Sequence, residues 1–260
     1  MLRPRIIPCL LVKNGGLVKT IQFGNPKYVG DPINAVRIFN EKEVDELMVL
    51  DIDAAVQNRE PDYGLIRNLA AECRMPLCYG GGVRTAGQIQ KIVGLGVEKV
   101  SIGSSAVNDP GLISEAAAKV GSQSVVVVMD IRKSGPNGGY EVFTHNGSRA
   151  TGLEPVDFAK RMEAHGAGEL VMNSIDRDGR MEGYDIEIIS KVREAISLPM
   201  TVLGGAGSLK DIANLIRTFG IIGAAAGSLF VFKGKYRAVL ISYPNREDKD
   251  ALIKASGSLN

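Results

Sequence analysis

Short runs of apolar, often β-branched residues alternate along the chain with longer stretches in which apolar positions recur every three to four residues. RIIPCLLV, ELMVLDID, MPLCYG, KVSIG, VVVVMDI, ELVMNSI, MTVLG and IIGAAAG are nearly continuous in apolar character, the pattern of strands buried on both faces. Between them, residues 34–40, 62–72, 86–95, 111–120, 155–165, 185–195 and 209–219 carry the 3.6-residue period of amphipathic helices. Such alternation predicts parallel strands joined by crossover helices, and eight such strands predict a closed (β/α)8 TIM barrel in the α/β class. An open doubly wound sheet is the alternative.

The pattern is written twice. Residues 75–107 (MPLCYGGGVRTAGQIQKIVGLGVEKVSIGSSAV) recur as residues 198–230 (LPMTVLGGAGSLKDIANLIRTFGIIGAAAGSLF). Pro76 and Pro199, Gly81 and Gly204, Gly82 and Gly205, Ile89 and Ile212, and Ser105 and Ser228 are each 123 residues apart, as are Glu46 and Glu169, and Asp53 and Asp176. One offset, with no Pro-, Ser- or Gly-rich linker between the copies, predicts a single barrel domain over residues 1–260. Its half-barrels are expected at about 1–122 and 123–243, followed by a short charged tail, 244–260.

Composition narrows the chemistry. Hydrophobic residues make up 45% of the 260, enough for a sizeable core, and 31 basic against 29 acidic residues leave no basic stripe for nucleic acid. The longest uncharged stretch, residues 218–232, is too short to span a membrane, and the chain runs straight into a strand pattern, so a cytoplasmic protein is expected. Cys9, Cys73 and Cys78 lack paired CxxC spacing, and His145 and His165 are the only histidines. No metal site and no cofactor are therefore expected.

Glycines directly after a strand let backbone N–H groups approach an anion, and a following helix start adds a positive dipole end. Gly80, Gly81 and Gly82 follow the third strand pattern, and Gly204 and Gly205 the seventh. Gly103, Ser104 and Ser105 follow the fourth, and Gly227 and Ser228 the eighth. Each half thus offers one phosphate cradle, which points to a ligand with two anionic ends; the bland reading is of tight turns chosen for sterics.

RIIPCL, DIDAAVQNRE, YGGGVRT, KVSIGSSAV, VVVVMDIRK, NSIDRDGRMEGYD, LGGAGS and GSLFVF together resemble the cyclase subunit of imidazole glycerol phosphate synthase, over nearly the whole chain. The resemblance implies a barrel that takes ammonia from a glutaminase subunit docked at its N-terminal face. The ammonia then passes along the barrel to a bisphosphorylated ribulosyl substrate at the C-terminal face, yielding imidazole glycerol phosphate. It implies a catalytic role for Asp130 at the end of the fifth strand, and substrate contacts for Lys19 and for the acidic loop of Asp176, Asp178 and Gly179. Arg5, Glu46, Lys99 and Glu169 match the ring of charges that gates ammonia entry, although such a ring is also what any barrel needs to pair its floor charges.

The chain departs from that pattern at four places. Leu11 stands where the family has its second catalytic aspartate, Gly103 where it has asparagine, Asn173 where it has threonine, and Glu98 where it has aspartate. Leucine exchanges no proton, and loss of a positioned acid or base costs about 10²- to 10⁴-fold in rate. LLVKNGGLVKTIQFG and YRAVLISYP are similar to a paralogue group, the acetamidino-modification proteins of bacterial surface-glycan (O-antigen) synthesis. That similarity implies a lyase- or synthase-type subunit of a glutamine amidotransferase, working with a glutaminase and a third, separate amidotransferase on a phosphosugar or nucleotide-sugar ligand. The cyclase of histidine biosynthesis itself, and a non-catalytic subunit that activates a glutaminase, are the alternatives.

Overall fold

The computed structural model describes residues 3–134 and 138–255. Eight parallel strands form its centre: β1 (Arg5–Lys13), β2 (Leu47–Asp51), β3 (Leu77–Gly80), β4 (Lys99–Ile102), β5 (Val125–Lys133), β6 (Glu169–Ser174), β7 (Met200–Leu203) and β8 (Gly223–Ala226). Each pairs with the next, and β8 pairs back onto β1, which closes the barrel. Six lie within the apolar runs that predict them, while β1 and β5 continue one and two residues beyond theirs.

The helices outside are α1 (Pro32–Glu41), α2 (Tyr63–Glu72), α3 (Ala86–Gly94), α4 (Gly111–Val120), α5 (Pro155–Ala164), α6 (Ile186–Ala195), α7 (Leu209–Phe219) and α8 (Arg246–Ala255). The first seven follow the amphipathic stretches; α8 is the tail. Each buries the stripe its period predicts, for example Ala35, Val36 and Phe39 on α1 and Ile212, Leu215 and Ile216 on α7. The tail helix is held rather than frayed: Ile253 is buried, and Lys249 pairs with Asp45 at 2.7 Å. Residues 256–260 of that tail lie outside the described residues.

Helix starts repeat with the sequence. Pro32 and Pro155 open α1 and α5 behind capping Asp31 and Glu154, and Thr85 and Ser208 close capping boxes on α3 and α7. Asp62 and Asp185 hold the N-cap positions of α2 and α6, but only Asp62 caps with its side chain; Asp185 instead accepts from Tyr140 Oη at 2.9 Å. Every one of these pairs is 123 residues apart.

Strand register tests the repeat position by position. Cys9 lies opposite Met48 and Leu11 opposite Leu50, while Val128 lies opposite Val171 and Asp130 opposite Asn173. Because β2 and β6 are 123 apart, Leu11 and Asp130, 119 apart, are equivalent. At β4 and β8 the spacing becomes 124, since Lys99 faces Cys78 as Gly223 faces Thr201. The structural partner of Ser228 is therefore Ser104, not Ser105 as the uniform offset would have it. Gly103 and Gly227, likewise 124 apart, each precede a short helix, Ser104–Asn108 and Ser228–Val231.

Two hairpins that the apolar pattern passes over rise from the C-terminal ends. After β1, strands Gly16–Ile21 and Gly24–Gly30 follow a turn at Asn14 and Gly15, both at positive φ. After β5, strands Tyr140–Thr144 and Arg149–Ala150 fold back beside it. The barrel interior is filled by Ile7, Cys9, Met48, Cys78, Val126, Val171, Leu203 and Ala225, an apolar plug between a charged floor and a polar mouth.

Candidate active site

At the N-terminal ends of the strands the inward positions are charged. Arg5 on β1 donates to Glu46, just before β2, and to Glu169 on β6 at 2.7 Å. Lys99 on β4 bridges the same two carboxylates at 2.8 Å each, and Thr201 on β7 donates to Glu169 at 2.6 Å. The four charges predicted to form a ring are thus in contact. Burial by itself would raise the Glu169 pKa, but the charges of Arg5 and Lys99 hold it down to about 2. Burial would lower both cations as well, yet the two carboxylates keep Arg5 and Lys99 raised. Outside the ring opens a cleft of about 900 Å³, rimmed by Arg3, Lys42, Arg193, Arg246 and Lys249. Glu98, exposed beside Lys99, accepts from the Leu77 amide at 2.8 Å.

At the other end, a cleft of about 270 Å³ opens where the strands end. Leu11, Lys19, Asp130, Asp178 and Gly179 line it, with Gly81, Gly82, Ser104 and Ser105 on one side and Gly204, Gly205, Gly227 and Ser228 on the other. All the mouth residues singled out by sequence except Asp176 are brought to this cleft; Asp176 instead accepts from the Lys133 amide at 2.9 Å. The two glycine turns stand four strands apart in the closed order and share one steric cause. A side chain on Gly81 would fall 2.4 Å from the Asp51 carbonyl, and one on Gly204 2.6 Å from the Ser174 carbonyl, which is its repeat equivalent. Sterics therefore require glycine there, and the same close packing keeps the backbone bare toward the cleft. The helices that follow contribute less than the sequence suggests, because the Thr85 and Ser208 capping boxes already engage their first amides.

Asp130 projects into the cleft and accepts from Asn173 Nδ2 at 3.0 Å. Desolvation lifts its pKa to about 7, against the lowering effect of that hydrogen bond and with the charge of Asp178 adding to the rise. It therefore exchanges a proton near neutral pH, the condition for acid or base catalysis. Asp178 is also raised by burial, although Thr20 Oγ1 at 2.6 Å and the Phe23 amide at 3.2 Å donate to it. Lys19 is 4% exposed, its pKa lowered by burial, and its ammonium donates to the Cys9 carbonyl. A side chain on Gly227 would fall 2.7 Å from Lys19 Nζ, so glycine there lets the ammonium lie beside the Gly227-Ser228 turn.

Leu11 occupies the place equivalent to Asp130, so one side of the mouth is apolar where the other carries a carboxylate. Sequence reasoning missed His145, Asn146, Asn58 and Arg84, which also line the cleft. Of these, only the Asn146-Gly147 dipeptide carried a local signal, that of a turn. Among the described residues no group of three or more His, Cys, Asp or Glu is placed to hold a metal ion, and no helix is long and apolar enough to cross a membrane.

A profile of the family described as histidine biosynthesis protein matches residues 5–237. A Leptospira interrogans protein, provisionally named imidazole glycerol phosphate synthase subunit HisF, is 58% identical over 97% of this chain and 100% of its own length. A Vibrio vulnificus protein provisionally named as subunit hisF3 is 52% identical over 98% of both chains. The imidazole glycerol phosphate synthase subunit HisF of Alkaliphilus metalliredigens is 41% identical over 88% of this chain and 91% of its own.

Proposed function

We propose that this chain, which belongs to the histidine biosynthesis protein family, is an ammonia-using synthase subunit that serves acetamidino modification of a sugar rather than closure of an imidazole ring. The observation that carries this reading is a lone carboxylate at the two equivalent strand-end positions of the mouth, above an intact charged floor: Leu11 stands where register makes it equivalent to Asp130, while Arg5, Glu46, Lys99 and Glu169 remain paired. A glutaminase docked over the floor cleft would deliver ammonia into the barrel, and Asp130, with its pKa near 7, would manage one proton at the mouth. The provisionally named relatives, at 52–58% identity, also stand nearer than the Alkaliphilus subunit at 41%.

In the proposed reaction ATP first transfers a phosphoryl or adenylyl group to the oxygen of an N-acetyl group; ammonia then adds at that carbon, the oxygen leaves on the phosphate or AMP, and the NH of ammonia takes its place. An acetamide needs activation first, and the chain carries no GxxxxGKS phosphate loop. ATP-dependent activation is therefore assigned to the third protein. The test combines this chain, its glutaminase, the sugar amidotransferase, ATP and glutamine, with mass spectrometry reading the exchange of O for NH. Product that forms at the same rate when this chain is left out would overturn the proposal.

The ring-closing cyclase is the second reading, favoured by Asp178, a second carboxylate of raised pKa in the same cleft. If Asp178 stands in for the missing aspartate, Asp178→Asn abolishes ring closure supported by ammonium.

A further inference from the structure

The hairpins after β1 and β5 close over the mouth from opposite halves, and each is pinned to the other half. Thr20 Oγ1 donates to Asp178 at 2.6 Å and the Gln22 amide to the Asp178 carbonyl at 3.0 Å; Asn146 Nδ2 donates to the Ile52 carbonyl at 2.6 Å. Asp178 lies beyond β6 and Ile52 beyond β2, the equivalent strands of the two halves. Each hairpin also brings one basic side chain into the cleft. Lys19 lies beside Gly227 at the second cradle, while His145 lies at the first, where its amide donates to Ser104 Oγ at 3.3 Å.

His145, Asn146 and Gly147 hold consecutive left-handed conformations, at φ 52°, 55° and 70°. Such backbone is costly for residues with a Cβ, and the Asn146 clasp to Ile52 is what holds it across the mouth. Histidine Nδ1 lies 3.1 Å from Thr144 Oγ1, which makes Nε2 the nitrogen able to meet a ligand. Arg84, fastened to Asn58, lines the same side and adds positive charge.

We propose that His145 is the anion-binding side chain of the first cradle, the counterpart of Lys19 at the second, so that each end of the ligand meets one basic group on a hairpin. The proposal rests on the glycine turns being anion cradles, and it is independent of what ammonia does at the mouth. An imidazole N–H or imidazolium supplies one charge-assisted hydrogen bond to a phosphate-like oxygen.

The chain's two histidines make the test clean, since His165 follows α5 with its ring Nδ1 3.1 Å from Ser114 Oγ on α4, away from the cleft. Protein labelled with nitrogen-15 is titrated with inorganic phosphate and followed by NMR. The expected result is that the His145 ring signals shift together with the amides of Gly82 and Ser104, while the His165 ring stays still. His145→Asn, which tolerates the left-handed backbone, should weaken phosphate binding at Gly82 and Ser104 about tenfold and leave Gly205 and Ser228 unaffected. Amides that respond while the His145 ring does not, or an unchanged affinity in His145→Asn, would overturn the role of His145. If neither set of amides responds, the cradle reading falls and the role of His145 falls with it, while the ammonia reading stands.

Discussion

The two half-barrels share a scaffold and divide the chemistry between them. At the floor, the first half supplies Arg5, Glu46 and Lys99, while the second supplies Glu169 and places Gly223 where Lys99 stands. At the mouth the balance reverses: the second half supplies Asp130, and the first places Leu11 at the equivalent position. Helix caps and glycine turns, by contrast, recur in both. The repeat persists where the backbone demands a residue type and breaks at the floor cation Lys99 and the mouth carboxylate Asp130.

Removing the Asp130 carboxylate should have the largest effect. Asp130→Asn is expected to lower ammonia-dependent product formation about 10²- to 10⁴-fold, the range for a positioned acid or base, whereas Leu11→Ala leaves it within a fewfold. Equal losses at both positions would erase the asymmetry.

At the floor, Glu169→Gln leaves Arg5 and Lys99 sharing Glu46 alone. Loss of one partner from a buried network costs about 3 kcal/mol, toward the low end because one carboxylate remains, and should lower Tm by roughly 6–12 °C. The Glu169 pKa is depressed in the folded state, so its contribution is full above its ordinary value of 4.5 and is lost as pH falls toward about 2. The gap between wild type and Glu169→Gln, read by thermal denaturation, should narrow over that window.

Asp130 has the opposite sign. Its folded pKa is raised to about 7 from 3.8, so the ionised carboxylate destabilises the fold increasingly as pH rises from about 4 through 7. Asp130→Asn should match wild type near pH 4 and exceed it by about 2 kcal/mol at pH 8, a figure that allows for the carboxylate's remaining contact with solvent. Smallest of all, Thr85→Ala and Ser208→Ala should each cost about 1 kcal/mol in denaturant unfolding, and by similar amounts, since the two caps are equivalent. A large difference between them would show that the scaffold, too, has diverged.

Strands and helices were legible in the sequence because burial on both strand faces and on one helix stripe writes a strong apolar period. The glycine turns and the four floor charges were legible because they repeat or match a family pattern. The hairpins were not, since residues 16–30 and 140–150 mix polar and apolar positions and lie over the mouth rather than in the core; the Asn14-Gly15 turn signal was the clue available. His145 went unseen because a lone histidine gains meaning only when tertiary folding carries it to the cleft. A uniform offset of 123 also misaligned the ends of the repeat. It pairs Leu11 with Ser134, whereas hydrogen-bond register pairs it with Asp130, because the path from β1 to β2 is four residues shorter than that from β5 to β6.

Leu11 facing Asp130 is the crux, and the purified chain answers it directly when given ammonium and the bisphosphorylated ribulosyl substrate, with imidazole glycerol phosphate formation followed by chromatography. The expected result is turnover at least about 10²-fold below the 1 to 10³ s⁻¹ typical of enzymes, because only one of the two equivalent strand-end positions carries a carboxylate. Turnover within that ordinary range would contradict it and return the chain to the ring-closing reaction.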